Sequence, residues 1–174
     1  MQRFDAELVG MLRAKLGLAT ADNGDSDLVQ RLLGLMQSVE ADFTLTFRRL
    51  AGVAAAPAEG TVELDAFTQL FTGATDPVKA NLEAWIADWQ RRLSVESLQP
   101  ADRAERMRRS SPAFIPRNHL VEAALNAASD REDLVPFNRL LRIVQRPYED
   151  QPDAAEYALP PRPSEQVLQT FCGT

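Results

Sequence analysis

The sequence holds one cysteine and one histidine among 174 residues. Cys172, standing alone, excludes an intrachain disulfide and any cysteine-rich zinc module. With His119 as the single histidine, a zinc site would have to be completed by carboxylates. No serine or cysteine has a recognisable base beside it, so nucleophilic catalysis finds no motif. No stretch approaches the roughly 18 uninterrupted apolar residues of a membrane span. Met1-Gln2-Arg3-Phe4-Asp5 lacks the apolar stretch of a signal peptide, and the expectation is a cytoplasmic protein without a membrane partner. The surplus of acid over base, a net charge of -6, weighs against nucleic acid as a partner, because phosphate recognition starts from excess lysine and arginine.

What is present is helical periodicity. Hydrophobic residues at 45% and charged residues at 25% are ordinary globular values and argue against global disorder. Phe4, Leu8, Met11, Leu12 and Leu16 follow steps of three and four, and Gly17 supplies a left-handed stop. Leu28, Leu32, Leu35 and Met36 form the next face, with Asp25, Ser26 and Asp27 placed as caps. Asp42 caps a third helix that turns Phe43, Phe47 and Leu50 inward, and Gly52 to Gly60 reads as a surface loop. A short helix covers Glu63 to Phe71. Asp76-Pro77 opens the clearest helix, whose stripe is Leu82, Trp85, Ile86, Trp89 and Leu93. Pro100 opens another, and two more carry the faces Val121, Ala124, Leu125, Ala128 and Phe137, Leu140, Leu141, Val144. Strand-like alternation is not found, so the prediction is an all-α multi-helix bundle over residues 1–146. From Pro147 to Thr174 five prolines predict an extended tail with polyproline II character. Tyr148, Tyr157 and Phe171 mark that tail as a strap on the helices or on a surface outside this sequence.

Several groups invite chemistry and each has a plainer explanation. Asp22 to Asp27 is acidic, but the ligand spacing of a calcium loop fails at Gly24 and Val29, which leaves an interhelical turn. Arg103, Arg106, Arg108, Arg109 and Arg117 could grip a phosphate or an acidic surface; interleaved with Asp102 and Glu105 they read as a solvated helix face. His119 reads as a surface or capping residue, and Trp85 with Trp89 as core. Pro160 to Pro163 has the P-x-x-P spacing of ligands of SH3-type domains, but such short motifs arise by chance and it reads as a rigid tail. The thiol of Cys172 needs nearby positive charge to be reactive, which its position alone does not supply.

Four segments in register carry more. Met11 to Leu18, Asp42-Phe43-Thr44-Leu45-Thr46-Phe47-Arg48, Ser111-Pro112-Ala113-Phe114-Ile115-Pro116-Arg117-Asn118-His119, and Pro147-Tyr148 through Pro160-Pro161 to Phe171-Cys172-Gly173-Thr174 together resemble the C-terminal part of the SelO family, the pseudokinase-like protein adenylyltransferases. The resemblance covers essentially the whole chain, with Ser111 standing where the family more often has asparagine. It implies a parent enzyme that moves AMP from ATP, with magnesium, onto hydroxyl side chains of proteins. The family's catalytic and nucleotide-binding residues lie upstream of the matched part, so none is carried over. In agreement, the sequence contains no Gly-x-Gly-x-x-Gly, no His-Arg-Asp and no Asp-Phe-Gly. The resemblance also gives Cys172 the place where members carry selenocysteine or cysteine, and implies a redox-regulatory pairing with a cysteine of the catalytic part.

Two expectations follow. In one, the chain is the non-catalytic helical C-terminal piece of such an enzyme, its partners being the catalytic part and the parent's protein substrates, with an apolar patch where the catalytic part docks. In the other, it is a self-contained helical adaptor for other proteins. Binding of structured RNA through the arginines is disfavoured by the acidic balance.

Overall fold

The computed structural model describes residues 2–56 and 62–167, with side chains from residue 7 onward. The Phe4 side chain, Phe171 and Cys172 lie outside the described residues. Those described form α-helices and short 3-10 turns and no strand, which is the all-α fold expected. The chain divides into two compact units, Met1–Ser111 and Pro112–Thr174.

The first unit contains α1 (Gln2–Lys15), α2 (Asp25–Ser38), α3 (Phe43–Ala55), α4 (Val62–Thr68) with a 3-10 turn at Gln69–Phe71, α5 (Asp76–Ser94) and α6 (Pro100–Ser110). α1 stops where the sequence says it should. Gly17 takes φ +76° and the amides of Gly17 and Leu18 donate to the carbonyls of Ala14 and Arg13, at 3.2 and 3.0 Å. This is the paired closure that satisfies orphan carbonyls at a helix end. Asp42 caps α3, its Oδ1 accepting from the Leu45 amide at 2.8 Å. At α5 the extended cap residue is Thr75, one position before the expected Asp76, and Pro77 sits in the first turn. α3 continues through Gly52 to Ala55, because Val53 and Ala54 are buried against the core where a loop was expected.

α5 supplies the centre. Leu82, Trp85, Ile86, Trp89 and Leu93 are all buried, as the stripe predicts. The two indoles stack at 5.7 Å and 13°, and Phe67 lies 6.5 Å from Trp85. Each indole N–H is satisfied inside the core: Trp85 donates to the Leu28 carbonyl at 2.8 Å and Trp89 to the Leu16 carbonyl at 2.9 Å. Those two bonds join α5 to α2 and to the end of α1. Met11 and Phe43, expected inward, are instead exposed, at 61% and 48%.

α6 packs on α3 and α1, and its C-terminal carbonyls are met by cations from both. Arg48 of α3 donates to the carbonyls of Arg108 and Ser111 at 3.2 and 3.1 Å, and Lys15 Nζ donates to the Ser110 carbonyl. Positive charge at a helix C-terminus is favourable both as hydrogen bonding and against the helix dipole. Burial lowers the Lys15 ammonium from its ordinary pKa.

The second unit contains α7 (Asn118–Arg131), α8 (Val135–Val144) and 3-10 turns at Pro152–Ala158 and Pro163–Glu165. Its small core joins Ala113, Phe114, Ile143 and Ala154, with Tyr157 packed alongside. The Pro147 carbonyl accepts from the amides of Ala113 and Phe114, at 2.7 and 3.2 Å. The Pro-rich stretch is therefore only partly extended. Leu159 (φ −76°, ψ 148°) and Arg162 (φ −66°, ψ 160°) have polyproline II geometry, but the residues between Pro152 and Ala158 turn back to hold α8. Arg139 of α8 donates to the Asp153 carbonyl at 3.1 Å and lies 5.3 Å from the Tyr157 ring.

Gly17 is also a point of close approach. A Cβ there would come within 2.8 Å of Met107 Sδ and 2.9 Å of Arg103 Cγ, whereas at Gly73, φ +87°, a Cβ meets nothing within 4 Å. Gly17→Ala is expected to destabilise by about 2 kcal/mol or more, and Gly73→Ala by about 1 kcal/mol, the left-handed backbone being common to both. Urea unfolding of the two variants checks this, and equal losses would contradict the close packing of α6 on Gly17.

Candidate functional site

The most ordered polar constellation lies in the first unit and was not singled out by the sequence as such. Asp25, expected as a helix cap, is 1% exposed and takes no part in capping α2. Its Oδ1 accepts from Arg92 Nε at 2.9 Å, and its Oδ2 lies 2.9 Å from Arg13 Nε while accepting from the Asp22 amide, also at 2.9 Å. The Arg13 contact is an ion pair whose alignment falls short of a hydrogen bond. Arg92 goes on to Glu96 Oε1 and to the Thr20 carbonyl, both at 2.8 Å, and the Thr20 hydroxyl donates to Glu96 Oε1 at 2.8 Å. Two carboxylates and two guanidiniums thus close a neutral cluster joining α1, the turn after it, α2 and the end of α5. Burial alone would raise the Glu96 carboxyl, but the donors from Thr20, Arg92 and the Ala19 amide outweigh it and hold the group below its ordinary pKa. With both acids paired to arginines that come from other elements or from the end of α5, the cluster fastens elements.

The arginines expected as one solvated face separate into two kinds. Arg108 and Arg109 pair with Glu105 in solvent, at 3.4 and 2.9 Å. Arg103 is buried and donates to the carbonyls of Leu93 and Leu98 at 3.3 and 3.0 Å; burial lowers its pKa. Arg117, in the second unit, is also buried and donates to the Ala158 carbonyl at 2.8 Å. Both tie loops to helices. Ser111 is buried as well, with its carbonyl held by Arg48 and its Oγ without a hydrogen-bond partner among the described residues. His119 borders a hollow of about 380 Å³ with Arg117, Asn118, Pro161 and Gln166.

Two other hollows are described. One of about 430 Å³ lies against α2 and α5, lined by Gly34, Ser38, Val78 and Asn81 among others. The other, about 160 Å³, is wholly apolar and lies on α7 and α8. None of the three is lined by a carboxylate, and no group of three metal-ligating side chains occurs among the described residues. Magnesium binding a nucleotide takes at least one carboxylate with the phosphates. These three hollows therefore offer no carboxylate to hold magnesium on a nucleotide, and no step of a transfer is assigned to them. Among the same residues, no helix is long and apolar enough to cross a membrane. Cys172, the candidate redox residue, lies outside the described residues.

Removing Asp25 takes away the buried carboxylate that sits between Arg13 and Arg92, with Arg92 keeping only Glu96 as its counter-charge. Asp25→Ala is expected to cost about 3 kcal/mol or more, against under about 1 kcal/mol for Asp27→Ala, whose pair with Arg31 is exposed. Urea unfolding at neutral pH separates the two, and similar losses would contradict the role of the cluster. Because the folded Glu96 carboxyl is depressed while the unfolded one titrates near about 4.3, the unfolded chain takes up the proton first on acidification. The contribution of Glu96 is present above about pH 4.3 and lost as pH falls through the folded pKa, so Glu96→Gln is expected to flatten the acid limb of the stability profile.

Residues 1–145 match the model of the family described as "Protein adenylyltransferase SelO". Three relatives, each named protein nucleotidyltransferase YdiU, align over nearly all of this chain. That of Bradyrhizobium sp. (strain ORS 278) is 49% identical over 94% of this chain and 31% of its own length. That of Rhizobium rhizogenes (strain K84) is 49% identical over 99% and 33%, and that of Rhizobium meliloti (strain 1021) 51% identical over 98% and 33%. The chain spans about a third of the length of the curated relatives it matches. It belongs to the SelO family.

Proposed function

We propose that this chain is the helical C-terminal part of a SelO-type protein adenylyltransferase, which supports the catalytic part and performs no chemistry itself. The carrying observation is the family match over residues 1–145 by a chain that spans only a third of its relatives. The Gly-rich, His-Arg-Asp and Asp-Phe-Gly motifs of kinase-like nucleotide sites are absent from its 174 residues. On this reading ATP and magnesium are held by the rest of the polypeptide, which moves AMP to serine, threonine or tyrosine hydroxyls of protein substrates. What the helical part contributes is a stiff body: a core centred on the two tryptophans, fastened by the Asp25 cluster.

The proposal extends to Cys172. It stands at the near-terminal position that the family resemblance assigns to selenocysteine or cysteine, and it pairs reversibly with a cysteine of the catalytic part. Two thiols give up two electrons and two protons to a disulfide oxidant such as oxidised glutathione, which sets activity by redox state.

Calorimetric titration of the chain with ATP and magnesium is expected to give no saturable heat; a saturable signal would contradict the assignment of the nucleotide to the rest of the polypeptide. In a full-length polypeptide carrying this third, Cys172→Ser is expected to abolish the difference in AMP transfer between oxidising and reducing conditions. An unchanged difference would remove the regulatory role.

A further inference from the structure

The sequence places Phe137, Leu140, Leu141 and Val144 of α8 on one apolar face, and the structure splits that face in two. Leu140 is buried, as is the neighbouring Ile143, but Phe137 and Leu141 each remain 41% exposed. With Leu140 and Val144 they form one wall of the apolar groove, and Pro116, Val121 and Ala124 form the other. Leu134 and Val135 at the start of α8 are exposed as well, at 57% and 70%. Among the described residues, seven of the eleven exposed large apolar side chains fall in the second unit, although it is the smaller one. Scattered exposed leucines need no explanation; apolar residues gathered along a groove do.

We propose that this groove receives apolar side chains from the rest of the family polypeptide, the two thirds of its relatives' length that this chain does not span; the inference rests on the function proposed above. The size and lining select that occupant. At about 160 Å³ the groove is smaller than the roughly 300–1,000 Å³ of small-molecule sites, and its lining offers no polar group to orient a ligand. It suits one or two protein side chains. A second copy of this chain is the competing occupant, which a two-fold contact would seat by an exposed residue of one copy entering the groove of the other. The relatives, by contrast, carry about twice as much further chain as the part matched here, and all seven groove residues lie within the span that matches the family.

The test exchanges the matched third of the Rhizobium meliloti relative for this chain and maps side-chain oxidation by hydroxyl radicals in the chimera and in the chain alone. Phe137 and Leu141 are expected to react at least about fivefold more slowly in the chimera, since a packed contact excludes water. AMP transfer by the same chimera is measured separately. Unchanged oxidation with transfer intact overturns the docking inference and leaves the functional reading standing. Protection without transfer supports the docking and counts against the function. Protection already present in the chain alone, with a dimer in sedimentation, assigns the groove to a second copy and also overturns the inference.

Discussion

Asp25 is the constraint from which the first unit is assembled. A carboxylate this deeply buried is tolerable only with charge on both sides, and Arg13 and Arg92 supply it from two different helices. Those two pairs fasten α1 and α5 to the start of α2. In the same arrangement the indoles of Trp85 and Trp89 reach the Leu28 and Leu16 carbonyls. The net worth of such a buried cluster against an apolar replacement is small. Its consequence is register: helices that slid by one turn would leave Asp25 unpaired and two indole donors unsatisfied.

Much of this was legible before the structure. The stripe of α5, the stop at Gly17 and the cap at Asp42 follow from local rules whose partners lie within five residues, and each is found. Asp25 was not legible in the same way. As a candidate cap it obeys local preference, and nothing nearby shows that Arg92, 67 positions on, claims the carboxylate. Arg103 and Arg117 hid similarly in a run of arginines; only tertiary contacts show that they serve backbone carbonyls and not solvent. α8 is the opposite case. Its periodicity predicts an inward face and is correct about the helix, but periodicity cannot distinguish a face buried in its own unit from one presented outward, and Phe137 and Leu141 are the latter.

The motif segments divide in a corresponding way. Asp42 to Arg48 is structural at both ends, capping one helix and closing the C-terminus of another. Ser111 to His119 begins as the acceptor of that closure and continues into the second unit, where Arg117 holds the Pro-rich stretch. These roles concern shape. Both segments lie within the span that matches the family model.

The most direct measurement is transfer of labelled AMP from ATP to protein by the full-length Rhizobium meliloti relative in two forms, one lacking the matched third and one with that third replaced by this chain. The account predicts that deletion abolishes transfer and that the replacement restores it, with no transfer by this chain alone. Undiminished transfer after the deletion, or transfer by the isolated chain, would contradict it.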